Sequence, residues 1–183
     1  MKKSTVLNFK SFLSVFLIVF TGCTITYSQV WVNMGTGASG SVNALINYNS
    51  EIVAAGFFST AGGQLVNNIA RWNGTTWLPL GLGTNDTIFA LTIYNGMLVA
   101  GGKFTTAGGV SCNKIAVWNG SSWSSTGGLF NGDVYALAVQ GSFLVAGGSF
   151  TSVNSLNTQR IARYNVTWQT MGWGFDANVN ALA

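Results

Sequence analysis

Charged residues and histidine are what this sequence has least of. Only 7% of its 183 residues are charged, and it contains no histidine. The side chain most often used for acid–base catalysis near neutral pH and for binding transition metals is therefore missing. No acidic residues are placed as an acid–base pair or a metal cluster either. We predict that these residues form no catalytic, cofactor or metal site, and that the chain is not an enzyme.

The sequence also lacks an excess of positive charge outside residues 1–28, an N-terminal leader that is described below. Lys2, Lys3 and Lys10 lie in that leader, and residues 29–183 carry five basic and four acidic side chains. No basic stripe remains to neutralise phosphates, so binding to nucleic acid is not expected.

The chain has too few cysteines for a disulfide framework. If the leader is removed, Cys112 is the single cysteine left, so no disulfide can form within the chain. We interpret Cys112 as a small, partly buried residue.

The N-terminal apolar run, residues 12–20 interrupted by Ser14, is too short to span a bilayer, which needs about 20 apolar residues. A lysine-containing start precedes this run and small residues follow it, which predicts a signal peptide over residues 1–28. Cleavage after Ser28 would leave Gln29 first. No membrane span is expected.

A second interpretation of the leader remains open. The stretch Phe20-Thr21-Gly22-Cys23 resembles a lipobox, with Phe in place of the usual Leu at its first position. Lipoprotein anchoring at Cys23 is therefore the alternative to free secretion. Both interpretations predict an exported protein, secreted or held at the cell surface.

Self-similarity every 45 or 46 residues is the strongest signal in the sequence. Several residue types recur at this spacing: Trp31, Trp77, Trp123 and Trp168; Ala44-Leu45, Ala90-Leu91, Ala136-Leu137 and Ala181-Leu182; Phe58, Phe104 and Phe150; Ile69-Ala70, Ile115-Ala116 and Ile161-Ala162. Residues 29–183 are predicted to be one repeat region. Its repeats run over about 31–76, 77–122, 123–167 and an incomplete 168–183.

Each repeat contains four candidate strands, a to d. In the second unit they are predicted over residues 88–93, 97–101, 114–118 and 122–125. The stretch Tyr94-Asn95-Gly96 separates a from b. Asn119-Gly120 separates c from d. Asn-Gly predicts a type I′ turn at both places, and at Asn73-Gly74 in the first unit. The third unit has Asn165-Val166-Thr167 instead, and because Val resists positive φ that turn should differ.

Four antiparallel strands in about 45 residues are the size of one β-propeller blade. The fold class is predicted to be all-β: a propeller fragment of three full blades and part of a fourth. Closed propellers usually need at least four blades, so further blades of the same chain are expected as partners. The recurring Trp and Phe are predicted to pack between blades, and Trp31 to Met34 to form an outer strand. Trp173 lies outside the recurring tryptophan positions and, with Phe175, is a candidate exposed contact.

The repeat resembles known propeller families. Gly101-Gly102, Trp118 and Trp123, with their counterparts in the other units, are similar to a kelch motif. The repeats resemble still more closely those of large secreted bacterial surface proteins and of fungal cortical cell-polarity markers. The resemblance implies a propeller with an extracellular role and implies no reaction.

One face of such a propeller is a candidate for ligand binding. The b–c and d–a connections emerge on the same face, are longer than the a–b and c–d turns and differ between units, and binding usually lies in variable loops on a repeated scaffold. The candidate ligand-binding residues are Asp86, Asp133, Asn154, Asn157, Trp173 and Asp176. Asp86, Asp133 and Asp176 each precede strand a of a unit. They are interpreted either as polar loop residues or as carboxylates that surround a cation near the propeller axis.

The leading functional hypothesis is a non-catalytic extracellular or cell-surface scaffold whose partner is an unidentified protein or glycan. The alternative is a fragment of an exported enzyme or carbohydrate-binding propeller whose site residues lie beyond residue 183. Histidine, glutamate or tyrosine clusters in further blades would favour that alternative.

Overall fold

The structure is a computed structural model that describes residues 33–183. These residues contain 18 strands, numbered β1 to β18 in chain order, and no helix, which confirms the all-β prediction. The strands form three four-stranded antiparallel sheets and three two-stranded hairpins.

The three sheets repeat the same order of strands. The first unit consists of β1 (Ser41–Tyr48), β2 (Glu51–Phe57), β3 (Thr60–Ala61), β4 (Gln64–Leu65), β5 (Ile69–Trp72) and β6 (Trp77–Pro79). The second consists of β7 (Ile88–Tyr94), β8 (Met97–Gly102), β9 (Thr106–Ala107), β10 (Val110–Ser111), β11 (Ile115–Trp118) and β12 (Trp123–Ser125). The third consists of β13 (Val134–Gln140), β14 (Phe143–Gly148), β15 (Ser152–Val153), β16 (Leu156–Asn157), β17 (Ile161–Tyr164) and β18 (Trp168–Thr170).

Each sheet is built from one continuous stretch of chain, in the order β1-β2-β5-β6 and its equivalents. The predicted strands of the second unit are confirmed to within one residue at their ends. The segments predicted as b–c loops contain an extra hairpin each: β3–β4, β9–β10 and β15–β16. The sequence repeat and the sheet are offset by one strand. A repeat that begins at a tryptophan contains the last strand of one sheet, followed by the first three strands of the next sheet.

A β-bulge in the first strand of each sheet links neighbouring sheets. The bulged residues Asn43, Phe89 and Tyr135 have no cross-strand partner. The Asn43 amide donates to the Ile88 carbonyl of the second sheet at 2.9 Å. The Phe89 and Tyr135 rings meet edge to face with centroids 5.3 Å apart. The bulge therefore turns these side chains towards the next sheet.

The repeated aromatic residues lie in the core, as predicted. Phe104 and Phe150 are fully buried, and Trp123 is nearly so. The Trp123 indole N–H donates to the Leu80 carbonyl at 2.8 Å, so it is both packed and hydrogen-bonded. Cys112 is a free, buried thiol in the same core, and burial raises its pKa.

The predicted turn types are only partly correct. Asn95 and Gly96 have φ angles of 50° and 75° and join the paired residues Tyr94 and Met97, as a two-residue type I′ turn requires. The type I′ prediction for Asn119-Gly120 and Asn73-Gly74 is wrong. Four residues separate the paired strands there, and the asparagine does not have positive φ.

The side chain of the first asparagine explains these four-residue loops. The Asn119 carbonyl oxygen accepts from the backbone N–H groups of Ser121 and Ser122, both at 2.9 Å. This Asx arrangement replaces the backbone turn, so that only Gly120 needs positive φ. The stretch Asn165–Thr167 forms a three-residue loop without positive φ, which confirms that it differs.

The two ends of the repeat region differ from a full sheet. Asn33 and Met34 lie in no strand, and Trp31 and Val32 lie outside the described residues, as does the signal-peptide prediction for residues 1–28. In the incomplete fourth unit no strand is assigned after Thr170. Val179 nevertheless lies against the third sheet: its N–H donates to the Gly148 carbonyl at 3.2 Å, and its side chain covers the Cα of Gly147.

Candidate functional site

The loops that were predicted to form a ligand-binding face lie at one end of the sheets. We call this surface the loop face: it consists of the three short hairpins and the connections before β1, β7, β13 and residue 179. Isolated bridges join the two kinds of segment in each unit: Ala38 with Ala61, Thr84 with Ala107, and Phe130 with Val153. The b–c and d–a connections therefore emerge together, as the alternation of strand direction predicts.

Asparagine side chains connect the segments of the loop face by hydrogen bonds. The Asn85 carbonyl oxygen accepts from the N–H groups of Thr105 and Thr106, both at 2.9 Å. Asn131 repeats the contact with Thr151 and Ser152 in the third unit. The connections before β7 and β13 are thus fixed to the hairpins that follow them, β9–β10 and β15–β16, by hydrogen bonds within the protein.

Asp86 and Asp133 are used by the scaffold. Lys103 lies 3.7 Å from Asp86, and Lys114 lies 3.1 Å from Asp133. The N–H of Thr87 donates to Asp86 at 2.7 Å and, together with these lysines, lowers the pKa of that carboxyl. Both carboxylates therefore already have partners from the protein.

The three aspartates do not occupy one repeat position. Asp86 lies two residues before the first strand of its sheet, and Asp133 lies one residue before. Asp176 is exposed and aligns with Asn85 and Asn131, the asparagines that hold the hairpins. Within residues 33–183 no group of three acidic or cysteine side chains is placed to hold a metal ion.

Asn154 is a structural residue of the third hairpin. Its side chain accepts from the N–H of Leu129 at 2.8 Å and donates to the carbonyl of Gly127 at 3.0 Å. Asn157 lies beside it on β16 and is exposed, with no side-chain hydrogen bond to a described residue.

Trp173 is the most exposed large side chain of the loop face, at 93% of its surface. It aligns with Leu82, which is 70% exposed in the preceding connection. Further apolar side chains are exposed on the same face: Leu65, Val110, Leu129, Leu156 and Phe175. The loop face thus carries several exposed apolar side chains on loops that are held by hydrogen bonds within the protein.

Sequence reasoning missed a second candidate site, a cleft between the first and second sheets at the end opposite the loop face. Its polar residues are Tyr48, Glu51 and Arg71, and its apolar wall includes Leu80 and Trp118. Glu51 and Arg71 are 20 residues apart and form an ion pair at 2.8 Å. Only the pairing of β2 with β5 brings them together.

Among the described residues, no helix is both long and apolar enough to cross a membrane. A search of the curated proteins finds no match. Among solved structures, the chain is similar to a crystal structure of the computationally designed Ika4 protein, at 17% identity and a TM-score of 0.49, over 84% of this chain and 87% of that one. The model of the Rax2 C-terminal beta propeller domain matches residues 65–183.

Proposed function

Because this chain belongs to the Rax2 C-terminal β-propeller domain family, we propose that it is a non-catalytic interaction module that works outside the cell. A propeller domain of this family suggests binding rather than catalysis. More specifically, the module is a scaffold that is exported from the cell and whose loop face binds an extracellular protein. The signal peptide predicted over residues 1–28 supports that location.

The observation that carries the proposal is the exposure of Trp173 and Leu82 on connections that hydrogen bonds hold in place, among them that from the Phe175 N–H to the Gln159 carbonyl at 2.9 Å. Both side chains lie on short connections, and the Leu82 connection is held by hydrogen bonds from Asn67 to Leu82 and from Thr84 to Asn67, both at 3.0 Å. A surface that is ordered before binding loses less conformational entropy when a partner docks. Exposed tryptophan is also the side chain most enriched among residues that dominate protein interfaces.

Site-specific photo-crosslinking tests the loop face in the full-length protein on living cells. A benzophenone amino acid at position 173 or 82 should give a discrete cross-linked protein. The matched control carries the same group at Asn95, in the tight turn at the opposite end of the second sheet. Cross-links from position 95 alone, or equal yields from all three positions, would show that the loop face is not the binding surface.

Export is tested separately, by mass spectrometry of the mature N-terminus. Cleavage of the signal peptide after Ser28 should leave Gln29 first, free or cyclised. A diacylglyceryl-modified Cys23 would show that the protein is a lipoprotein held at the membrane surface. An intact N-terminus on a protein retained in the cytoplasm would contradict the extracellular proposal.

A further inference from the structure

The cleft between the first two sheets, the inter-sheet cleft, has a volume of about 280 Å³. It opens at the end of the molecule opposite the loop face, where the turn after β1 meets the loop after β11. A binding event there would be independent of a partner on the loop face.

The equivalent junction between the second and third sheets is closed. There the Tyr94 hydroxyl donates to the Ser142 carbonyl of the third sheet at 2.8 Å. Met97 and Val117 fill the space beside it with apolar atoms. The same repeat can therefore form a junction without a cleft. The junction that contains the inter-sheet cleft has different residues at several of the equivalent positions.

Tyr48 takes the place of Tyr94 in the open junction. Its side chain is only 7% exposed, yet its hydroxyl has no hydrogen-bond partner among the described residues and lines the cleft. The hydroxyl oxygen itself is open to the cleft, because among the described residues the only buried side-chain oxygen without a partner is that of Thr158. The Tyr48 hydroxyl is thus a polar group available to a ligand.

At the positions that Met97 and Val117 occupy in the closed junction, the open junction has Glu51 and Arg71. One guanidinium nitrogen of Arg71 donates to both carboxylate oxygens of Glu51, at 2.9 and 2.8 Å. The other guanidinium nitrogens have no partner among the described residues, and each carboxylate oxygen keeps a free lone pair. The ion pair thus offers donors and acceptors side by side. An anion would be repelled by Glu51 and a cation by Arg71, so the pair favours an uncharged ligand.

The opposite wall of the cleft is apolar, formed by Leu80 and the Trp118 ring. A suitable ligand has hydroxyl groups along one edge and C–H groups on one face, as a pyranose ring does. The volume lies just below the roughly 300–1,000 Å³ of drug-sized ligand pockets, which fits one ring rather than a chain of rings. We propose that the inter-sheet cleft binds a neutral monosaccharide, either free or as the end of a glycan.

Binding of D-galactose, D-mannose, L-fucose and N-acetylglucosamine to the purified full-length protein tests this proposal. Saturation-transfer NMR and tryptophan fluorescence should detect at least one of them, with a Kd on the order of 1 mM, as a ligand of about a dozen heavy atoms allows. Tyr48→Phe should weaken that binding roughly 3- to 10-fold, since it removes one hydrogen bond. A methyl glycoside that binds equally well would assign the site to glycan ends, and one that does not would assign it to free sugars.

The matched control is Tyr94→Phe, the same change in the closed junction. It should leave sugar binding unaltered and lower thermal stability, whereas Tyr48→Phe should leave stability unaltered. Trp173→Ala, on the loop face, should also leave sugar binding unaltered. The proposal is overturned if no sugar binds at about tenfold above 1 mM, if glucuronate binds more tightly than the neutral sugars, or if Tyr94→Phe weakens binding as much as Tyr48→Phe.

Discussion

Thr158 is a buried polar side chain at a position that is otherwise apolar. Its hydroxyl has no hydrogen-bond partner among the described residues. Val66 and Cys112 occupy the same position in the first two units and are buried as well. The third unit therefore bears the cost of desolvating a hydroxyl without the compensation of a hydrogen bond.

Replacement of Thr158 by valine should stabilise the protein. We expect the free energy of unfolding to rise by about 1–2 kcal/mol, since the change removes an unsatisfied hydroxyl from a site that accepts valine in the first unit. Urea unfolding should show a higher midpoint with an unchanged slope. The reverse change, Val66→Thr, is the control and should destabilise. An unchanged or lower midpoint for Thr158→Val would mean that the hydroxyl has a partner, such as a buried water.

At the scale of the strands, stacking of the sheets depends on close approach at Gly101. A Cβ there would lie 2.8 Å from Val134 and 3.2 Å from Leu137 of the third sheet. The first sheet has Ala55 at the same position, fully buried against the second sheet. The spacing of neighbouring sheets is therefore set separately at each junction by the size of one residue on their second strand.

Gly101→Ala should destabilise the protein by about 1–3 kcal/mol, because the added methyl group overpacks the junction and Val134 is too stiff to move easily. Thermal or urea unfolding measures the loss. The control is a double-mutant cycle with Val134→Ala, which makes room for the methyl group. The double variant should be more stable than the sum of the two single effects predicts. Additive effects would show that the two side chains do not meet.

For the whole molecule, the outward side of the first sheet is an unusually apolar surface. Val42 and Leu45 are 44% and 66% exposed there. Their equivalents are covered in both later units, where Ile88 and Val134 are fully buried under the preceding sheet. The first sheet thus exposes the surface that the other two bury, and an apolar sheet face of this kind favours association.

Residues 29–183, expressed alone, should consequently self-associate. The double change Val42→Ser and Leu45→Lys should shift the material towards monomer in light scattering coupled to size-exclusion chromatography. Leu129→Lys is the control, because Leu129 is 67% exposed but lies on the loop face; it should leave association unaltered. A monodisperse, cooperatively unfolding monomer of the unaltered sequence would contradict the prediction.

The repeat, the strands and the burial of the aromatic residues could all be predicted from the amino-acid sequence. These depend on local alternation and on a strict spacing, and Trp77, Trp123 and Trp168 can pack alike only if each unit folds alike. The loop face was predictable for the same reason, since alternation of strand direction decides which connections share a face. The exposure of Trp173 followed from its departure from the recurring tryptophan positions.

The roles of the polar residues, in contrast, depend on the three-dimensional fold. Asp86 and Asp133 were predicted to be ligand-binding residues, but they pair with lysines that lie 17 and 19 residues away along the chain. The inter-sheet cleft brings Tyr48 near Trp118, 70 residues later, and at this junction Tyr48 does not make the hydrogen bond that Tyr94 makes at the next. Periodicity specifies which residues share an environment, whereas hydrogen bonds and ion pairs depend on the distances between sheets, which a pattern along the chain does not contain.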